Sequence, residues 1–421
     1  MSDPRSPLNV VVIGTGEYVT GFLHGNEASR SDKGAGVIAL VLFDLRRRGR
    51  VGRIILAGRD GRRFPAIRAH LQARIADRYA GLDTTLETVP ADDSMDPRAY
   101  AQALDRVAPG AVAIIATPDD LHSPIAQAAL DRGLHTLVVK PLVKTLAEHD
   151  RLLATARARG LLLAAEYHKR FDPIYADARD RIQGLGDMSL LLSYMSQPKR
   201  QLETFRDWAG TQSDIGYYLN AHHIDFHAWS LRGRARPVRA RATAATGVAS
   251  EVLRTKTEDA IALTVEWESL GSGRRGVAVY TASWVAPRAD VHSQQRFFYM
   301  GAEGEVTVDQ AHRGYSVATD ALGFVSENPL FMKYTPTDGR FAGQAGYGYR
   351  SIEAFIEAAE AVTRGAARPE DFDVSLATAA TGRTVTAILE AGRRSLDAGG
   401  LAFNLRYADA AALDPVSIDP E

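Results

Sequence analysis

Short apolar runs alternate with helix-like stretches through roughly the first 165 residues. Runs at 10–13, 54–57, 111–116, 136–139 and 161–165 are largely apolar, with a weaker strand candidate at 84–89. That is the pattern of strands covered on both faces. Helix candidates lie between them at 65–79, 97–107, 123–132 and 146–159. The alternation predicts an α/β fold with a doubly wound parallel sheet and right-handed crossovers. Beyond about residue 170 the pattern changes. A strand candidate at 188–195 leads to a helical stretch at 224–231, followed by strands at 236–245, 259–266, 276–282 and 295–300. Apolar residues recur at every second position there, which predicts a mostly antiparallel open sheet with one packed face. Helices at 351–363 and 374–396 complete the chain. Two domains are expected, residues 1–168 and 169–421, with the C-terminal helix free to pack back on the first. No internal repeat or low-complexity tether separates them.

Composition narrows the function classes. A length of 421 residues suits two domains, and a formal net charge of −1 removes any general electrostatic case for a nucleic-acid partner. The basic run Arg46, Arg47, Arg48 and Arg50 follows the apolar stretch 37–43 and reads as a helix C-terminus, where cations complement the dipole. The sequence contains no cysteine, which excludes disulfides, iron–sulfur clusters and thiolate-ligated zinc. The polar start MSDPRSPLNV lacks a signal-peptide core, and no apolar run reaches the length of a membrane span. A cytoplasmic protein without a membrane partner is the expectation.

The first strand candidate runs directly into Gly14-Thr15-Gly16, followed by Glu17 and Tyr18. At a dinucleotide site the first glycine makes the tight turn, and the second lets backbone approach the pyrophosphate. This placement predicts an N-terminal Rossmann domain binding NAD or NADP, with Gly14, Gly16, Glu17 and Tyr18 at the cofactor. The third glycine position of the usual pattern holds Val19, and a polar loop at 24–36 intervenes before the next apolar helix. Which helix N-terminus faces the phosphates is therefore open at this point. The second strand ends Ala57-Gly58-Arg59-Asp60. Arg59 facing a 2′-phosphate implies NADP, Asp60 on the ribose hydroxyls implies NAD, and an ordinary charged turn fits the sequence equally well.

Three further segments end predicted strands, where ligands bind in such sheets. They are Thr117-Pro118-Asp119-Asp120-Leu121-His122, Val139-Lys140-Pro141 and Glu166-Tyr167-His168-Lys169-Arg170. With the glycine loop, they resemble the Gfo/Idh/MocA family of sugar and polyol oxidoreductases along nearly the whole chain. The family motif T-P-N-x-x-H resembles the segment from Thr117 to His122, with Asp119 in the asparagine place. E-K-P resembles Val139-Lys140-Pro141, its glutamate lost. D-x-x-x-H-x-x-D resembles the segment reaching His222 and Asp225, with Tyr218 in the first aspartate place unless a shift brings in Asp214 or Asn220.

The resemblance implies His222 as proton acceptor, Lys140 as its electrostatic partner near the nicotinamide, and Tyr218 as a proton relay or a hold on a substrate hydroxyl. An imidazole suits proton acceptance near neutrality, and an ammonium stabilises charge developing on the reacting oxygen. Thr117, Pro118, His122, Lys140 and Glu166 join the expected cofactor contacts. His168, Arg170, His223 and Asp225 are expected on the substrate side. His223 and His227 stand one helical turn apart, but without cysteine or an H-E-x-x-H pattern no metal is expected. The implied substrate is a sugar, sugar acid or cyclitol, oxidised or reduced at a secondary hydroxyl. Alternatives are a glycoside-cleaving enzyme that oxidises its sugar transiently, and a nucleotide-binding sensor. A one-sided apolar sheet seeks cover, so a homodimer or homotetramer is expected.

Overall fold

The strand candidates of the first part of the chain become six parallel strands: β1 (Leu8–Ile13), β2 (Val51–Ala57), β3 (Glu87–Val89), β4 (Val112–Ile115), β5 (His135–Val139) and β6 (Leu163–Glu166). A computed structural model describes residues 7–23, 33–289, 291, 293–321 and 323–421. The chain divides into two compact units, each assembled from three segments. The first takes Met1–Leu142, Asp150–Phe171 and Pro329–Ala380; the second takes Val143–His149, Asp172–Asn328 and Thr381–Glu421.

In the first unit the spatial order runs β6-β5-β4-β1-β2-β3, and the short strand Ala377–Thr378 pairs antiparallel with β6 to make a seven-stranded sheet. Strand order reverses between β1 and β4, and a cleft opens at the carboxyl ends of strands at such a switch point. The helix Ile38–Arg47 is buried from Ile38 through Leu45. Such complete burial requires cover on both sides, and the helix Tyr347–Thr363, from the last segment of the unit, packs against it. Buried Asp44 accepts hydrogen bonds from Arg47 (2.6 Å) and the Tyr349 hydroxyl (2.6 Å). Arg48 donates to Tyr349 at 2.7 Å, and Arg50 pairs with Glu360 at 2.6 Å. The basic run does close a helix, but two of its arginines are spent on partners some three hundred residues away.

The second unit carries β7 (Met188–Pro198), β8 (Ala235–Thr246), β9 (Glu258–Ser269), β10 (Arg275–Ala286), β11 (Gln294–Gly301) and β12 (Gly304–Asp309). They order as β12-β11-β7-β10-β9-β8, extended by Phe403–Arg406 and Ser417–Pro420 into an eight-stranded sheet. Every pairing is antiparallel except β7 with β10. Trp267, Tyr280, Phe297 and Tyr299 project from one face and are fully or almost fully buried. Phe226 and His227, on the helix Ala221–Leu231, lie against these rings. On alternate positions the other face leaves Leu192, Val277 and Met300 between 36% and 46% exposed. Register joins them into one patch, with Leu190 opposite both Val277 and Met300, and Leu192 opposite Val279 and Phe298.

Candidate functional site

The glycine loop is fixed by crowding. Ile13 and Ala57 lie side by side at the ends of β1 and β2, and Gly14 N–H donates to Ala57 O at 2.9 Å. Ala116, just past β4, donates to Ile13 O at 2.8 Å. A Cβ on Gly14 would stand 2.1 Å from Ala116 O, and its φ of +116° is one that only glycine adopts readily. Gly16 is different. Its place is exposed, and a Cβ there would meet no protein atom within 4 Å. Gly16 caps the four-residue helix Glu17–Thr20, so the first helix turn follows the loop at once. That turn then breaks: Gly21 meets Gly36 backbone to backbone, and Val37 N–H returns to Tyr18 O at 2.9 Å. Backbone contacts thus join the two ends of the polar stretch, Gly21 and Tyr18 on one side and Gly36 and Val37 on the other. Its residues 24–32 lie outside the described residues.

At the end of β2, Arg59 is exposed and makes no side-chain hydrogen bond or ion pair among the described residues. The Asp60 carboxylate is engaged by Arg62 through two hydrogen bonds, 2.8 and 2.9 Å. Those bonds hold its pKa below the ordinary aspartate value. Arg63 approaches Thr15 Oγ1 at 3.4 Å, which brings a second guanidinium to the glycine loop.

The ends of β4, β5 and β6 bring the remaining first-unit candidates to the same sheet edge. Thr117 Oγ1 is buried with no hydrogen-bond partner. His122 is wholly buried, one ring nitrogen 2.8 Å from Pro141 O and the other 2.9 Å from Thr117 O, so it braces the loops after β4 and β5 against each other. Lys140 follows β5 directly. Part of the residue reaches solvent, yet its ammonium is surrounded by protein, and burial pushes its pKa down to about 7. Asp119 and Glu166 oppose that shift and Lys33 adds to it. Glu166 accepts from Ser351 Oγ at 2.6 Å and faces His168 Nδ1 at 3.3 Å. Burial raises its carboxyl pKa, but His168, Ser351 and Tyr18 together hold it below the ordinary value. The Tyr18 hydroxyl is buried close enough to feel that carboxylate, without good hydrogen-bond geometry; burial and Glu166 both push its pKa up. His168 stacks on Tyr347 at 5.5 Å, and Arg170 donates to Leu376 O at 2.9 Å.

The second-unit candidates share one helical run. A π-turn, Gly216–Asn220, leads into the helix Ala221–Leu231; such turns recur at functional sites because they shift the register of side chains. Tyr218 is half-buried against Phe205 and Trp208, with ring centroids 5.1 and 5.2 Å away. Asp214 accepts from Tyr217 N–H at 2.9 Å and from Arg393 at 3.3 Å, while Asn220 is buried with its amide nitrogen unpartnered. His222 and Asp225, both buried, sit one turn apart on a single helix face. His223 Nε2 meets the Tyr175 hydroxyl at 2.9 Å. His227 meets Tyr280 at 2.6 Å, and burial drives its pKa down to about 3. Among the described residues, no group of three or more His, Asp or Glu is arranged to hold a metal ion, and no helix is long and apolar enough to cross a membrane. No sequence signal pointed to Ser351 or Tyr347, which reach the cluster from the helix Tyr347–Thr363, with Ser351 185 residues beyond Glu166.

A doubly wound sheet with a crowded first glycine and an open second one defines a dinucleotide-binding α/β unit. More particularly, residues 8–167 match the GFO_IDH_MocA family, described as an oxidoreductase family with an NAD-binding Rossmann fold. The chain is 32% identical over 115 residues to the uncharacterized oxidoreductase YdgJ of Escherichia coli K12, which covers 27% of this chain and 33% of YdgJ. It is 26% identical over 296 residues to IolW of Bacillus subtilis 168, a scyllo-inositol 2-dehydrogenase (NADP(+)), covering 67% of this chain and 75% of IolW. The chain spans only about a third of the length of the first curated relatives it matches. The fold of GenD2 from gentamicin A biosynthesis, solved with NAD, matches with a TM-score of 0.63 at 20% identity, over 97% of this chain and 100% of GenD2.

The two glycines should separate in a binding experiment. Gly16→Ala is expected to cost under about 1 kcal/mol of stability while weakening nucleotide binding, because a Cβ there would fill space that no protein atom within 4 Å takes up. Gly14→Ala is expected to lower the melting temperature itself. Thermal unfolding with and without NAD or NADP reads both.

Proposed function

We propose that this chain is an NAD(P)-dependent oxidoreductase that moves a hydride between nicotinamide and a secondary hydroxyl, or its carbonyl, on a sugar, sugar acid or cyclitol. The observation that carries the reading is Lys140, an ammonium drawn down to about 7 on the same sheet edge as the open glycine loop. The family match over residues 8–167 supports the cofactor, and IolW, named for an inositol and NADP(+), supports the substrate class.

The residues present suit a dinucleotide: Gly16 leaves room for one, and the buried Thr117 Oγ1 has a bond to give. When bound, the nicotinamide takes or returns the hydride. As the C–H electron pair leaves the alcohol carbon, the hydroxyl proton must leave too, and His222 is the proposed acceptor. Lys140 in its ammonium form stabilises negative charge on the reacting oxygen. Tyr218 holds a neighbouring hydroxyl or relays the proton, and His168, Arg170, His223 and Asp225 are assigned to the substrate side. Burying polar groups costs stability that a ligand contact offsets.

The end of β2 favours NADP. Gly58 offers no acid for the ribose, Asp60 is bonded twice to Arg62, and Arg59 stands exposed with its charge unmatched. The uncovered apolar face of the second sheet supports self-association as a homodimer or homotetramer.

Four outcomes are expected. Lys140→Met and His222→Ala each lower kcat by about a hundredfold or more on a panel of inositols, hexoses and sugar acids, followed at the absorbance of reduced nicotinamide. In the wild type, carbonyl reduction slows as pH rises through about 7, because Lys140 loses the proton that its role requires. Cleavage of aryl glycosides with no net change in nicotinamide would point instead to transient oxidation, and binding without turnover to a sensor. In titrations, NADP binds more tightly than NAD, and Arg59→Ala removes about tenfold of that preference, the worth of one charge-assisted phosphate contact. By light scattering the protein is an oligomer, and Leu192→Glu converts it to a monomer.

A further inference from the structure

The chain leaves β6 at Glu166 and enters one tight helical turn, His168–Phe171, with Arg170 N–H donating to Tyr167 O at 3.1 Å. The turn sets the His168 ring beside a carboxylate that is 4% exposed. His168 Nδ1 stands 3.3 Å from one Glu166 oxygen, and Ser351 Oγ donates to the other at 2.6 Å. The ring is also boxed by aromatics. It stacks on Tyr347 with centroids 5.5 Å apart and planes 28° from parallel, and meets Phe331 edge-on at 5.5 Å. A Cβ on Gly348 would stand 2.6 Å from the Phe331 ring, so glycine there lets that ring close onto the helix Tyr347–Thr363. All of these residues belong to the first unit.

Charge then decides which ring nitrogen carries the proton. Burial favours the neutral acid at Glu166, but His168, Ser351 and Tyr18 together hold its carboxyl below the ordinary pKa. An ionised carboxylate can only accept hydrogen bonds. The Nδ1 that faces it must therefore donate, and in the neutral ring Nε2 is then an acceptor. The His168 side chain is 16% exposed, so the ring is not sealed from solvent.

We propose that Glu166 is a positioning residue for His168: it takes the hydrogen bond from Nδ1, locks the ring in one tautomer and leaves Nε2 to accept from a substrate hydroxyl. Ser351 fixes the carboxylate in turn. The tautomer rests on these contacts alone, whereas the substrate hydroxyl rests on the reaction proposed above. A ring held before the substrate arrives has less freedom to lose on binding. The neighbouring groups suit this arrangement. Lys169, next in the chain, places its ammonium 5.3 Å from the Tyr347 ring. The helix Tyr347–Thr363 brings Tyr347 and Ser351, and Tyr18 approaches Glu166 from the glycine loop.

The test reads the ring directly. Full-length protein, isotopically labelled in its histidine nitrogens, is titrated by NMR, and His168→Gln identifies the signals. The neutral wild-type ring is expected to carry its proton on Nδ1. Glu166→Gln keeps an acceptor but removes the charge, and should lower the His168 midpoint by about half a pH unit or more. Ser351→Ala keeps the charge but frees the carboxylate, so some of the Nε2–H tautomer should appear. An Nε2–H ring in the wild type, or an unchanged midpoint in Glu166→Gln, overturns the proposal. On the inositol and sugar panel, Glu166→Gln should raise KM about threefold or more with kcat changed less. An unchanged KM overturns the contact with a substrate hydroxyl. Should Glu166→Gln fail to fold by circular dichroism, the wild-type tautomer and the Ser351→Ala spectrum decide. Because the NMR titration needs no substrate, a fixed tautomer in a protein without dehydrogenase turnover would sink the proposed reaction and leave the Glu166–His168 assignment standing.

Discussion

A parallel sheet has one carboxyl edge, and each strand that ends there delivers its next residue to the same place. That constraint organises the first unit. Gly14 after β1, Gly58 after β2, Ala116 after β4, Lys140 after β5 and Glu166 at the tip of β6 are scattered over more than 150 residues, yet strand pairing alone sets them in a row. The close contact between Gly14 and the Ala116 carbonyl leaves no room to slide β1 against β4, so the glycine loop and the segment leading to Thr117 share one register. Side chains along that edge need little further arrangement to meet.

Electrostatics on the edge then follow from depth. Lys140 lies where water is scarce, Glu166 deeper still, and the balance between them is set by what each can reach: Asp119 and Glu166 for the ammonium, Ser351 and His168 for the carboxylate. The same logic separates the histidines. His227 is buried against rings, which drives its pKa down, and His122 braces two loops through carbonyl oxygens. A histidine in the sequence carries none of this distinction.

Features whose causes are local were legible in the sequence. The strand ending in Gly14-Thr15-Gly16, the Lys140 that follows an apolar run, and the helix at Leu146–Arg159 are all written within a dozen residues of themselves. The polar loop at 24–36 was visible, but the contact of Gly21 with Gly36 was not, since it depends on two backbone segments meeting. The π-turn before His222 left no mark on the apolar periodicity, because it changes register without changing composition. Ser351 and the arginine partners on the helix Tyr347–Thr363 escaped for a plainer reason: sequence distance hides any contact that only folding creates.

That helix has a consequence for how the chain is made. The first unit takes its last segment from Pro329–Ala380, after most of the second unit has already been translated. Until then the apolar length of Ile38–Arg47 lacks the helix that packs on it, and Asp44 lacks Tyr349. The N-terminal half of the nascent chain therefore leaves the ribosome as an unfinished core, exposed to solvent and to other chains for as long as the intervening residues take to synthesise. For this chain, the order in which segments are made bears on folding as well as the stability of the finished fold.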